Sequence, residues 1–131
     1  MMPFKIQGKK TGDFTTSFAK GLAAETKASR AYEKLGLKVL ARRAKTPAGE
    51  LDLILLDAKA RRVVFVEVKT RKDLATAAYS ILPTQQQRIL RAADTWMGNK
   101  SEYAGYALQF DAFLIDGQGQ TRRIENAFSL T

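Results

Sequence analysis

The sequence predicts a mixed α/β domain, a central β-sheet flanked by α-helices in the order α-β-β-β-α-β-β. Two observations carry that prediction. The stretch Gly49–Lys72 (GELDLILLDAKARRVVFVEVKTRK) reads as two strands joined by a short basic turn. Both strands are apolar on both faces, as in a sheet interior covered by helices on each side. Segments before and after the hairpin repeat their apolar residues at helical rather than strand spacing.

The elements follow in chain order. Residues 1–16 (MMPFKIQGKKTGDFTT) are polar and basic and read as a mobile arm. Residues 17–35 read as a helix, with Ser17 at the N-cap and Gly36 as the stop. On a wheel of about 100° per residue, Phe18, Leu22, Ala24, Ala28, Ala31, Tyr32 and Leu35 make one arc. Lys20, Lys27, Arg30 and Lys34 fall outside it. Glu25 falls inside, where a carboxylate is costly unless it is paired with a cation or bound to a metal. Residues 37–44 (LKVLARRA) read as a strand and Lys45–Ala48 as a loop.

The hairpin strands are expected at 50–57 and 63–70, and residues 71–82 as irregular chain or a poor helix closed by Pro83. A second helix is expected from Thr84 to about Met97, Thr84 and Gln87 having the capping-box spacing. Its apolar arc includes Trp96, which is therefore read as core. Residues 106–116 (YALQFDAFLID) read as a strand, Gly117–Gln120 as a turn and 121–128 as a final strand. The chain reads as one domain over residues 17–131.

Composition narrows the chemistry. The 131 residues include 22 basic and 13 acidic ones, a formal charge of +9, which favours a polyanionic partner and nucleic acid first. No cysteine and no histidine occur. Disulfides, thiolate nucleophiles, Ser-His-Asp triads and histidine metal ligands are excluded. No apolar run approaches membrane-spanning length, and a cytoplasmic location with no membrane partner is expected.

The hairpin carries polar residues that a buried strand should not. Glu50 and Asp52 lie two apart on the first strand, Glu67 and Lys69 two apart on the second, so each pair shares a face. If Asp57 pairs with Arg62, Asp52 comes opposite Glu67, whereas a one-residue slip would separate them. Carboxylates beside a lysine suit metal-assisted phosphodiester hydrolysis, because Mg²⁺ and Mn²⁺ prefer oxygen ligands. The expected ligands of one or two such ions are Asp52, Glu67 and Glu25, with Lys69 as the catalytic cation. Glu25 would approach from the helix packed on that face. Glu50, Gln85 and Gln86 are expected neighbours. Arg42, Arg43, Lys45, Arg71, Lys72 and Arg88 are expected phosphate contacts around this centre.

An acid on a first helix, an acid some 15 positions before an E-x-K, and a polar first turn on the next helix resemble the PD-(D/E)XK nuclease superfamily. More narrowly, GLAAETKASRAYEKLG, GELDLI, VFVEVKTR and IENAF resemble the YraN-like family of small bacterial proteins, described as candidate endonucleases related to Holliday-junction resolvases. The resemblance spans about residues 21–128. It implies a restriction-endonuclease-like core and a Mg²⁺- or Mn²⁺-dependent endonuclease acting on DNA, with branched DNA and a homodimer as further expectations. Asp52, Glu67 and Lys69 match the superfamily's acid and E-x-K positions, Glu25 its helix glutamate, and Glu50 the family's G-E-x-D pattern. The chain departs where the family often has a basic residue early in the second helix (here Gln85, Gln86 and Gln87), at Arg43 in place of asparagine, and at Gln109 in place of arginine. The alternative is a nuclease-like module that binds nucleic acid or protein without cutting.

Overall fold

The computed structural model describes the backbone of residues 4–129 and the side chains of residues 19–129. Five strands form one sheet in sequential order. They are β1 (Lys38–Thr46), β2 (Gly49–Asp57), β3 (Arg62–Thr70), β4 (Ala107–Ile115) and β5 (Thr121–Phe128). The pair β3–β4 is parallel and the other pairs are antiparallel. A parallel pair needs a long crossover, which α2 (Leu74–Tyr79) and α3 (Pro83–Gly98) supply. The expected mixed sheet with flanking helices is therefore the observed one.

Three layers follow from the strand pleat. In β3, Val63 and Phe65 face α3 and meet Ile89, Leu90, Ala92 and Ala93. Val64 and Val66 face the other way and meet Ala28 and Tyr32 of α1 (Phe4–Lys34). Ala77 of the short helix α2 and Ile81 just past its end pack against Ala112 and Leu114 on the α3 side. Each fully buried Leu, Ile, Val or Phe contributes about 1.5–3 kcal/mol. Trp96, expected in the core, is half-buried at its edge and packs edge-on to Phe65 at 6.0 Å.

Several boundaries differ from expectation, each for a local reason. The helix bounds of α1 reach back past Ser17 into the stretch read as an arm. The Ser17 cap and the arm itself lie outside the side chains described. Residues 45–48 are a tight hairpin rather than a loop, since Thr46 pairs with Gly49 and its hydroxyl accepts from the Ala48 and Gly49 amides at 3.1 Å each. Asp73 caps α2 by accepting from the Thr76 amide at 2.7 Å. Helix α3 starts at Pro83, with Leu82 as N-cap and no side-chain cap bond. Proline fits the first helical position, where its missing N–H costs nothing. It thus opens the helix instead of only closing the segment before it, and the Thr84–Gln87 capping box does not form.

Candidate active site

The β2–β3 register builds the centre of the site. Asp57 pairs with Arg62 and Leu53 with Val66. Continuing that register by one step sets Asp52 at the level of Glu67. Asp52 Oδ2 accepts a hydrogen bond from the Val68 amide at 2.9 Å. Burial first, then the charge of Glu67, push the Asp52 carboxyl up to about 7, against the pull of the Val68 amide and of Lys69. A hydrogen bond between the Asp52 and Glu67 side chains adds to the rise. Below about pH 7 the Asp52 carboxyl therefore holds a proton unless a cation takes its place.

Glu67 is buried, at 6% exposure. Its Oε2 accepts from Gln85 Nε2 at 2.9 Å and lies 3.2 Å from Lys69 Nζ. Glu67 and Lys69 share the β3 face with Phe65, the face that α3 covers, and Gln85 on the first turn of α3 therefore reaches them. These residues open onto a cleft of about 770 Å³ that Glu25 and Glu50 also line. Lys20, Arg71, Lys72 and Arg88 stand around it.

The structure sorts the remaining expected residues. Glu25 lines the cleft, but its Oε1 receives Arg43 Nε at 2.7 Å. It comes from α1, which covers the opposite face of the sheet, and not from a helix on the Glu67 face. Arg43 takes a positive φ of 49° on the edge strand β1. Its guanidinium is thereby committed to Glu25 as well as being near the site. The side chain of Glu50 is exposed, and its carbonyl accepts from Arg88 Nη1 at 3.4 Å. Gly49 makes room for that contact: its φ is 141°, and a Cβ there would stand 2.7 Å from Arg88 Nη1. Gln86 is directed elsewhere and donates to the Ile81 carbonyl at 3.0 Å. Arg42 and Lys45 are exposed on β1, outside the lining of the cleft. Lys20, not singled out for the site by sequence, joins it. Its signal was its place outside the apolar arc, little more than one turn before Glu25.

The donor set suits a hard divalent cation. Asp52 and Glu67 are oxygen ligands already in contact, and Mg²⁺ is commonly held by one or two carboxylates plus water and substrate phosphate. Among the described residues, no group of three acidic side chains is gathered closely enough to hold an ion by itself. Glu25, on the same cleft, has its Oε1 engaged by Arg43.

Asp111 forms a separate buried polar centre. It accepts from Tyr32 Oη at 2.7 Å, Gln109 Nε2 at 2.9 Å and the Asn126 amide at 3.0 Å. Arg123 Nη1 lies 3.7 Å away. These contacts tie α1 to β4 and β5. Among the described residues, no helix is long and apolar enough to cross a membrane.

Residues 24–115 match the family described as "Uncharacterised protein family UPF0102". A UPF0102 protein of Rhodopseudomonas palustris strain HaA2 is 40% identical over 117 residues, covering 88% of this chain and 89% of the relative. A UPF0102 protein of Azorhizobium caulinodans is 44% identical over 115 residues, covering 86% and 84%. One of Bradyrhizobium diazoefficiens is 41% identical over 113 residues, covering 86% and 83%.

Proposed function

This chain belongs to the UPF0102 family, whose description assigns no activity, and from the geometry of its site we propose that it is a Mg²⁺- or Mn²⁺-dependent endonuclease hydrolysing DNA phosphodiester bonds. One observation carries the reading. Asp52, Glu67 and Lys69 converge on an open cleft that also holds Gln85 and is rimmed by four cations. A buried carboxylate pair is destabilising on its own, whereas a catalytic site has a use for it.

Asp52 and Glu67 would hold the ion, and Glu25, which Arg43 contacts through Oε1, lines the same cleft as a further candidate ligand. A bound divalent ion supplies charge stabilisation on the phosphate and lowers the pKa of a water. The chain's own groups do the rest. Gln85 fixes one oxygen of Glu67, and the Val68 amide fixes one oxygen of Asp52. Lys69 offers an ammonium beside Glu67, where it can orient a nucleophilic water or stabilise charge developing on the phosphate. Arg71, Lys72, Arg88 and Lys20 provide phosphate contacts that carry no sequence information. A homodimer would suit paired nicks across a branched substrate.

The test is a cleavage panel of linear, nicked, flapped and four-way-junction DNA with Mg²⁺ or Mn²⁺. Asp52→Asn and Lys69→Ala should each abolish cleavage while leaving the circular dichroism spectrum unchanged. Equal cleavage by either variant would refute the site. Salt-sensitive DNA binding with no cleavage by the wild-type chain would favour the non-cutting module.

A further inference from the structure

A second cationic surface leads away from the cleft. Lys20, Lys27 and Lys34 of α1 are seven residues apart, so they fall within about 20° per step on one line of the helix. At 1.5 Å per residue the row is about 21 Å long. Arg30 flanks it. Its first member lines the cleft. Lys27, Arg30 and Lys34 line a distinct groove of about 550 Å³ between α1 and the sheet, whose opposite wall includes Phe113 and Thr121. All four cations are exposed.

The two hollows are joined by the β4–β5 turn. Gly117 lines the cleft, Gly119 accepts a hydrogen bond from Lys27 Nζ at 2.7 Å, and Thr121 lines the groove. One donor of Lys27 thus braces the turn, leaving two. Asp116 keeps its charge but is turned into its own loop, where Oδ1 accepts from the Gln118 and Gln120 amides at 2.9 and 2.8 Å, and Glu125 is paired with Arg123 at 2.7 Å. Glu33 points about 120° away from the Lys27 line on the helix. The lining of the groove itself holds three cations and no acid.

We propose that the α1–β5 groove is a second nucleic-acid-binding site, holding the phosphate backbone of a DNA strand as it leaves the cleft. The inference rests on the phosphodiesterase reading, since the row gains its meaning from starting at that cleft. At about 3.4 Å per phosphate along one strand, the row spans about six nucleotides. Its ligand is the sugar-phosphate chain, because its donors are three cations and two threonine hydroxyls and, among the described residues, no exposed aromatic ring lines it.

The test uses fluorescence anisotropy of a labelled 24-base-pair duplex and a labelled 24-nucleotide single strand, without divalent ions, between 50 and 200 mM salt. Each lost phosphate contact lowers the slope of log K against log salt by about 0.9 for duplex and about 0.7 for single strand. The Lys27→Ala/Arg30→Ala/Lys34→Ala protein should lose about 2.7 in slope with duplex, and binding at 100 mM salt should weaken by more than tenfold. Arg30→Ala/Lys34→Ala, which keeps the brace to Gly119, should lose about 1.8. A charge-matched control, Lys38→Ala/Lys59→Ala/Lys100→Ala, should change the slope by less than about 0.5. The groove proposal is overturned if its triple variant binds like the wild type, or no worse than the control, while Arg71→Ala/Lys72→Ala/Arg88→Ala loses affinity. That pattern would leave the cleft assignment standing. If the wild-type chain binds neither probe, both readings fail together.

Discussion

Replacing Asp52 by asparagine should make the metal-free protein more stable at alkaline pH, although it destroys the proposed activity. Asparagine keeps the size of Asp52 and an oxygen for the Val68 amide, but it cannot ionise. The Asp52 carboxyl rises from its ordinary 3.8 to about 7 on folding, through burial and then through Glu67. A raised folded pKa gives stability that is complete below the unfolded value and is lost as pH climbs through the folded one. The window is therefore pH 3.8 to about 7. At about 1.36 kcal/mol per pH unit, the rise amounts to about 4 kcal/mol. The Asp52→Asn protein has no such loss at this position. Relative to wild type it should gain stability progressively between pH 4 and 8, by up to about 4 kcal/mol. At roughly 3 °C per kcal/mol for a chain of this size, Tm at pH 8 should exceed the wild-type value by on the order of 10 °C. The assay is urea and thermal unfolding of both proteins in EDTA at several pH values. Adding millimolar Mn²⁺ at pH 8 should raise the wild-type Tm and leave the variant nearly unmoved. Parallel pH profiles for the two proteins would refute the argument, because burial would then not be disfavouring the ionised carboxyl.

The remaining contacts give three further expected outcomes. Asp111→Ala should cost roughly 3–5 kcal/mol in urea unfolding, since Tyr32 and Gln109 lose their buried acceptor and Arg123 its carboxylate; cleavage per folded molecule should be unchanged. Arg43→Ala should cost about 1–3 kcal/mol by leaving Glu25 without its cation, and calorimetry should find tighter Mn²⁺ binding as that carboxylate is freed. Gln85→Ala removes one of the two groups at Glu67 Oε2; the rate of cleavage should fall about 10-fold or more with little change in DNA affinity, measured by single-turnover kinetics.

Much of the fold was legible because its signals are local. Val63, Val64, Phe65 and Val66 are apolar in succession, and a strand buried on both faces needs that pattern. The charge pattern of α1 likewise separates its core arc from its solvent side. Less legible were starts and caps. Pro83 read as a terminator and is the first residue of α3, because proline has opposite meanings at the two ends of a helix. Asp73 was passed over because α2 is only six residues long, too short for a periodic pattern to show.

By itself the sequence determined the chemical vocabulary of this protein: carboxylates, amines and amides, with no imidazole or thiol, on a basic chain. It also determined that Asp52 and Glu67 would be neighbours under one hairpin register, since β pairing is a matter of counting residues from a turn. Tertiary structure decided what counting could not. Gln85 meets Glu67 while Gln86 turns to Ile81, because adjacent helical residues point about 100° apart and only the seating of α3 selects one. Packing also gave Glu25 to Arg43 and brought Lys20 to the cleft. Those meetings join separate elements across the sheet, and their geometry is set by how whole layers pack.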